Sequence, residues 1–285
     1  MRPNAFTYSR PGNLADVLAA MRDGAMPLAG GQSLLQGMRL RQLEPRALVD
    51  LAAVAELSAQ IEYSADRVVI GARVTHRQMI EDPVIASEFH WLQGAAVALG
   101  DVQVRNRGTV LGNLCWADPR ANFGVALMAS EARVHVVDPA APERRTAIPI
   151  EEFFTGFRTT ALAGRLALAI EIPRQPARRG CYLEFSRQRQ DLALASVCVV
   201  IGRDYARVAV GGIHASVVRV PNLEAALITY GADSIALQPA LNHAFDELKL
   251  IPVHDPHGAP AFKEHLAKVQ LKRAIVQLAG ERVHD

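Results

Sequence analysis

A two-part chain, α/β in its N-terminal part and α+β in its C-terminal part, is the fold class this 285-residue sequence predicts. Three observations predict it. Short apolar runs alternate with helix-like segments over residues 5–50, the pattern of a small unit with parallel pairing. The last third reverses this order, with β-like runs first and helix-like runs after, as in an α+β domain. Between the two lies Gln175-Pro176-Ala177-Arg178-Arg179-Gly180, polar and turn-rich, which predicts a boundary. The expected domains are 1–176, with subdomains of about 1–55 and 56–176, and 177–285.

The elements follow in order. Residues 6–8 read as a short strand and 14–22 as a helix that Asn13 or Gly12 can cap. Residues 26–29 are a short buried strand, and the Ser33 hydroxyl is expected to cap a helix over 34–40. Strands are expected at 47–51, 57–63 and 67–71. Thr75 suits the cap of a helix over 76–80, and Pro83 opens an Ala-rich segment that reads as one long helix to about Gly100. Asp118-Pro119 reads as cap and first residue of a helix to about Glu131, since proline's missing N–H costs nothing there. Strands follow at 133–137, 146–150 and 165–172. Residues 181–186, 195–202 and 207–213 suit an antiparallel meander, and 223–230, 235–248 and 262–278 read as helices.

Composition narrows the function classes. Half of the residues are hydrophobic and 21% charged, an ordinary globular balance. A net charge of +2, with arginines scattered among acids, gives no electrostatic footprint for nucleic acid. The Arg178-Arg179 pair reads as a solvated turn. No segment approaches the ~20 apolar residues of a bilayer span, and the first residues lack a signal-peptide core, so a cytoplasmic protein is expected. Cys115, Cys181 and Cys198 are widely spaced and form no Cys-x-x-Cys pair, which argues against disulfides and against a zinc or iron–sulfur site in this chain. No metal site and no catalytic nucleophile are expected.

Two glycine-bearing segments carry the chemical signal. In Leu28-Ala29-Gly30-Gly31-Gln32-Ser33 an apolar strand runs into two glycines and a helix start. Glycine permits positive φ and close approach of an anion, and successive N–H groups can form an anion nest at the positive end of the helix. In Thr109-Val110-Leu111-Gly112-Asn113 a hydroxyl, an unhindered amide and a side-chain amide come together. Taken singly, such segments are more often tight turns than ligand sites. Together they suggest a clamp on a diphosphate. No Gly-x-Gly-x-x-Gly or Gly-x-x-x-x-Gly-Lys-Ser/Thr occurs, so the grip is not of the Rossmann or P-loop kind.

The order of these motifs resembles the FAD-binding medium subunits of the molybdenum hydroxylases, the xanthine dehydrogenase and aerobic carbon monoxide dehydrogenase family. Leu28 to Leu35 is similar to the family's first FAD loop and Gln103 to Asn113 to its second. Ala117-Asp118-Pro119-Arg120-Ala121-Asn122, Ile170 to Pro173, Tyr182 to Phe185 and Arg189 to Leu194 continue the likeness over almost the whole chain. The resemblance implies a vanillyl-alcohol-oxidase/p-cresol-methylhydroxylase-type FAD-binding domain of two α/β subdomains, closed by an α+β domain of the carbon monoxide dehydrogenase flavoprotein type. It implies FAD as cofactor, with the amides of Leu28, Ala29, Gly30, Gly31, Gln32 and Ser33 and of Thr109, Val110, Leu111, Gly112 and Asn113 around the diphosphate. Asp118 and Asn122 fall near the ribityl chain by the same likeness, and Ala167 and Glu184 near the flavin ring. Also implied are a large partner with a molybdenum cofactor and a small one with two-iron, two-sulfur clusters, as a dimer of heterotrimers. Electrons would pass from the clusters through FAD to an external acceptor. The alternatives are a stand-alone flavin oxidoreductase of the same fold and a structural subunit that has lost FAD.

Four positions depart from the family pattern, one of them Leu192, which stands where some relatives have an aromatic near the flavin. Leu111 stands where the first glycine of Thr-x-Gly-Gly-Asn is usual. A positive φ there would strain it by ~1–2 kcal/mol, whereas a negative φ would leave its amide available. Asn122 replaces an aspartate. Glu184 replaces a lysine, a reversal expected to lower the flavin potential if it faces the ring. The remaining candidates have structural readings: His254-Asp255-Pro256-His257 as a turn, Cys115 as a buried hydrophobe, Gly211-Gly212 as a strand-end bend, and Trp91 and Trp116 as packing anchors.

Overall fold

The structure, a computed structural model, describes residues 2–175, 177–253 and 256–280. Its first sheet is parallel, with Ala47–Asp50 between Thr7–Ser9 and Met26–Leu28. Parallel neighbours need a crossover. The helix Leu34–Arg39 lies in the connection between Met26–Leu28 and its neighbour Ala47–Asp50, and Leu14–Arg22 joins the two edge strands, capped by the Asn13 side chain on the Asp16 N–H and buried through Leu14, Val17 and Leu18. Pro27 lies on an edge strand, where its missing N–H breaks no central ladder.

The second sheet is antiparallel, in the order Ile61–Tyr63, Arg67–Gly71, Leu166–Pro173, Arg133–Asp138, Ala141–Pro149. Val68, Ile70, Val134, Val136, Ile170 and Ile172 bury one face in the main core. The expected long helix after Pro83 is two helices, Pro83–Glu88 and His90–Ala98. They break at Phe89, which has φ −134° and drops its ring into the core at 3% exposure. The Asp82 carboxylate caps the first of them by accepting from Val84 and Ile85 N–H.

The third sheet is the expected meander, Arg179–Phe185, Ala195–Gly202, Tyr205–Gly211 and the short Val218–Arg219. Side chains alternate between its faces. Tyr182, Cys198, Val200 and Ala209 join the main core under His90–Ala98 and Asn122–Met128. Cys181, Val197, Val199 and Val208 meet the helix Pro260–Gly280 through Ala267, Leu271, Ala274 and Ile275. Coverage on both faces explains the unbroken apolar run of residues 197–201. The helix expected over 235–248 shrinks to Gln238–Asn242, with turns on both sides of it.

Arg178 is not part of a solvated turn. Its side chain is 10% exposed, stacks 3.4 Å from the Tyr205 ring and pairs with Glu131 at 3.1 Å. Glu131 also takes Arg207 at 2.7 Å. Trp91 is a packing anchor: its ring covers Gly180, where a Cβ would come within 2.4 Å, and its indole N–H donates to Ser130 at 2.9 Å. His254 and Asp255, of the expected turn, lie outside the described residues.

Arg178→Ala is expected to remove about 1–2 kcal/mol, from the lost stack on Tyr205 and the loss of one of the two guanidiniums on Glu131. Thermal denaturation of the full chain checks this, with Arg189→Ala on the exposed loop expected to melt like the parent.

Candidate functional site

The strand Met26–Leu28 ends in a segment whose amides have nothing to bond. Among the described residues, none of the backbone N–H groups of Ala29, Gly30, Gly31, Gln32 and Ser33 donates to an acceptor of the chain. Gly31 has φ +76°, a left-handed turn that a side chain would strain. The expected Ser33 cap does not form. Ser33 is itself helical, with φ −90° and ψ −47°, and its hydroxyl makes no cap bond. The first helical bond runs from Leu35 N–H to the Gly31 carbonyl at 3.0 Å. Five half-buried amides thus stay unpaired at the start of the helix Leu34–Arg39, where buried N–H groups normally find partners.

The second segment is built differently from the loop expected. Val102–Arg107 and Val110–Trp116 are helices, joined at Gly108-Thr109. Thr109 caps the second helix, accepting from Gly112 N–H at 3.1 Å. Val110 N–H donates to the Val74 carbonyl at 3.0 Å and Asn113 N–H to the Thr109 carbonyl at 2.9 Å. Three of this segment's five amides are therefore spent on the fold, and the N–H groups of Thr109 and Leu111 are left. Leu111 is the second residue of its helix, 3% exposed, and has no positive φ, so the missing glycine causes no strain. The Asn113 Oδ1 is buried without a partner.

The two segments touch backbone to backbone. A Cβ on Gly30 would lie 2.0 Å from the Arg107 carbonyl oxygen and 2.8 Å from Gly108 Cα. Ala29 lies beside Gly112. Two adjoining cavities, about 510 and 630 Å³, open on this contact. Gln32, Ser33, Asn113, Trp116 and Arg158 line both and form the waist between them. The larger cavity runs to His76, Leu111, Cys115 and Ala167. The smaller reaches Asp118, Asn122 and the segment 190–194 of the C-terminal sheet. Ala167 and Asn122 therefore mark opposite ends of the site.

Asp118 does not begin a helix as the sequence suggested; the helix here is Asn122–Met128. Its side chain, 1% exposed, takes two guanidiniums instead. Arg120 donates to both carboxylate oxygens at 2.9 Å, and Arg158 donates to Oδ2 from Nε at 3.1 Å and Nη2 at 2.9 Å. Burial alone would raise this carboxyl, but Arg120 and then Arg158 hold it below the ordinary carboxylate range. Arg158 also lies over the Trp116 ring, 4.9 Å from its centroid. Its backbone is left-handed at φ 53° and donates to the carbonyl of Ala117, itself left-handed at φ 51°. Two such non-glycine residues cost about 1–3 kcal/mol each, and they set this turn against the cavity. Trp116 is thus a cavity wall as well as an anchor. Sequence reading missed Arg158 and Arg120, because one arginine in a polar turn looks like any surface charge.

Glu184 lines neither cavity. It sits one layer behind Asn122, whose Nδ2 donates to its Oε2 at 2.6 Å, so it does not face a ring directly. Cys115 is half-buried on the wall of the larger cavity rather than in the core as expected, and burial pushes its thiol up to about 12. His76 is 2% exposed and stacked on Phe123 at 5.2 Å. Among the described residues no cluster of three or more His, Cys, Asp or Glu could hold a metal ion, and no helix is long and apolar enough to cross a membrane. The site is a long slot with anion-seeking amides at its waist and one cation beside them, suited to an elongated ligand with an anionic middle.

The comparisons with known proteins agree with this geometry. Residues 4–175 match the FAD binding domain in molybdopterin dehydrogenase, and residues 180–278 the CO dehydrogenase flavoprotein C-terminal domain. The chain belongs to this family: it is an FAD-binding medium subunit of the molybdenum hydroxylase type and an oxidoreductase component. It is similar to the nicotine 6-hydroxylase medium subunit of Paenarthrobacter nicotinovorans, at 31% identity over 99% of this chain and 100% of the relative. The carbon monoxide dehydrogenase medium chain of Afipia carboxidovorans is 30% identical over 96% and 97%. Among solved structures, quinoline 2-oxidoreductase from Pseudomonas putida superposes with a TM-score of 0.89 at 30% identity, covering 99% of each chain. Carbon monoxide dehydrogenase from Hydrogenophaga pseudoflava gives 0.89 at 29% identity over 96% and 97%.

Burial, and then Arg105, lowers His76 from 6.5 to about 4, so the folded chain keeps it neutral where the unfolded chain is protonated. More protons on the unfolded state mean stability that falls as pH drops from about 6.5 to about 4. Denaturant titrations across that range are expected to show this loss, and His76→Phe is expected to flatten it.

Proposed function

We propose that the chain holds FAD along the two cavities and carries electrons between the iron–sulfur clusters of a small partner subunit and an external acceptor, while a large partner subunit holds the molybdenum cofactor. The observation that carries the residue assignment is the row of unpaired amides from Ala29 to Ser33, pressed against the second segment. A diphosphate is the group in FAD whose charge and oxygen count match such a row. Leu28 ends the strand that aims it. Leu111 N–H is a spare donor of the second segment, the orphaned Asn113 Oδ1 can accept only from a hydroxyl or N–H of the cofactor, and Thr109, Val110 and Gly112 hold its helix start in place. Asp118 would act through Arg158, with Asn122 as a hydrogen-bonding wall of the smaller cavity and Ala167 as an apolar wall of the larger. Glu184 acts behind Asn122.

When bound, FAD supplies the one- and two-electron chemistry, and the chain's residues bind, orient and shield it. The parts 1–176 and 177–285 are read as the FAD domain and the domain that closes it. Relatives called medium subunits, or subunits of a dehydrogenase complex, support a multisubunit assembly. We read it as a dimer of heterotrimers in the cytoplasm.

Gly30→Ala is expected to force the two backbones apart at a cost of about 1–3 kcal/mol and to deplete the purified assembly of flavin about tenfold or more. The ratio of flavin absorbance to protein measures this; a fully loaded variant contradicts the assignment. Arg158→Met is expected to weaken FAD about ten- to hundredfold, through loss of a charge-assisted bond. In a titration series the difference between parent and variant should shrink as salt rises.

A further inference from the structure

The turn carrying Asp118 and Asn122 is gripped from behind by the C-terminal sheet. Gly212 N–H donates to the Pro119 carbonyl at 2.9 Å, and a Cβ on Gly211 would lie 2.5 Å from that same oxygen. Three residues further on, Asn122 Nδ2 donates to Glu184 Oε2 at 2.6 Å, and the Tyr182 hydroxyl donates to that oxygen at 2.7 Å. Asn122 is 7% and Tyr182 8% exposed, so water competes little for either bond. The Gln270 side chain holds the Glu184 backbone carbonyl from the helix Pro260–Gly280 at 3.3 Å. Asn122 lines the smaller cavity and Glu184 does not.

This arrangement decides which end of an amide faces the cavity. A carboxylate oxygen that already receives Tyr182 can only accept from Asn122. The Asn122 NH₂ must therefore turn to Glu184, and its carbonyl oxygen takes the other side. Without Glu184 the amide could present either a donor or an acceptor. We propose that Glu184 is a positioning residue which, from the C-terminal domain, fixes Asn122 as a hydrogen-bond acceptor in the cofactor cavity. A hydroxyl or N–H of the cofactor is then recognised only with the two domains docked. The inference rests on the reading of the cavity as the FAD site. It adds that affinity at this end is set by a residue that never touches the ligand.

The test is a set of exchanges in the full chain, read by FAD affinity and by the midpoint potential of the bound flavin. Glu184→Lys presents a donor to Asn122, turns the amide round and aims its NH₂ at the cavity. Asn122→Asp sets two carboxylates together. Each alone is expected to weaken FAD about tenfold or more. The double variant Asn122→Asp/Glu184→Lys restores a donor on 184 and an acceptor oxygen toward the cavity. It is expected to return affinity to within about threefold of the parent and to bring the potential back with it. Losses that multiply in the double variant overturn the proposal. If Glu184→Lys does not fold, Glu184→Gln serves. It is expected to weaken FAD in the parent and to have no effect in an Asn122→Ala background, and equal losses in both backgrounds overturn the proposal. Asn122→Ala alone separates the two levels. If it leaves FAD affinity unchanged, the placement of the cofactor fails; if it weakens FAD while the exchanges show no coupling, only the positioning role fails.

Discussion

Gly30 lies so close to the Arg107 carbonyl that no side chain fits between them, and the whole site follows from that contact. It joins a segment with five spare hydrogen-bond donors to one with fewer. In 109–113 three of the five amides are taken by a capped helix start and by the bond to Val74. That segment is a rigid block. The first segment leans on it and leaves five donors unpaired in the wall of the larger cavity. N–H groups that the chain leaves unpaired in a cavity wall favour an acceptor there. The fold stores that demand where the anionic middle of an elongated cofactor would lie.

The ends of the slot are set by different means. Toward Ala167 the walls are mostly apolar, and the buried His76 is kept neutral beside them. Toward Asn122 the wall is polar, and it belongs to two domains. Asp118 collects two arginines, Arg158 reaches the waist, and the C-terminal sheet grips the turn through Gly211, Gly212 and Glu184. The Arg178–Tyr205–Glu131 cluster fastens the same sheet to the rest of the chain. Docking of the C-terminal domain is thus a condition for the shape of the cofactor site as well as its cover.

Much of the fold was legible because its signals are local. The helix Leu14–Arg22 follows from Asn13 and the spacing of Leu14, Val17 and Leu18, and the meander from its alternating faces. Elements failed where tertiary contact overrode local pattern. Phe89 broke an Ala-rich helix to reach the core, and Asp118 gave up a helix cap for two guanidiniums. The same holds at the site. Gly30 and Gly31 were visible as residues with conformational freedom, but which amides remain unpaired depends on Val74, 35 positions before Thr109 in no visible pattern with it beyond the folded chain. Glu184 and Asn122, 62 positions apart, were each noticed as a departure from the family pattern, and their bond to each other was not readable from sequence. Arg158 had no signal at all.

The central claim is that the unpaired amides of Ala29–Ser33, and not those of Val110, Gly112 and Asn113, meet the diphosphate. Residue-resolved amide hydrogen exchange, with and without FAD, tests it most directly. Without FAD, Val110, Gly112 and Asn113 should already be protected, while Gly30, Gly31, Gln32 and Ser33 exchange fast. With FAD, protection should appear across 29–33 and change little at 110, 112 and 113. The account is contradicted if FAD leaves 29–33 exchanging freely while protection is gained elsewhere.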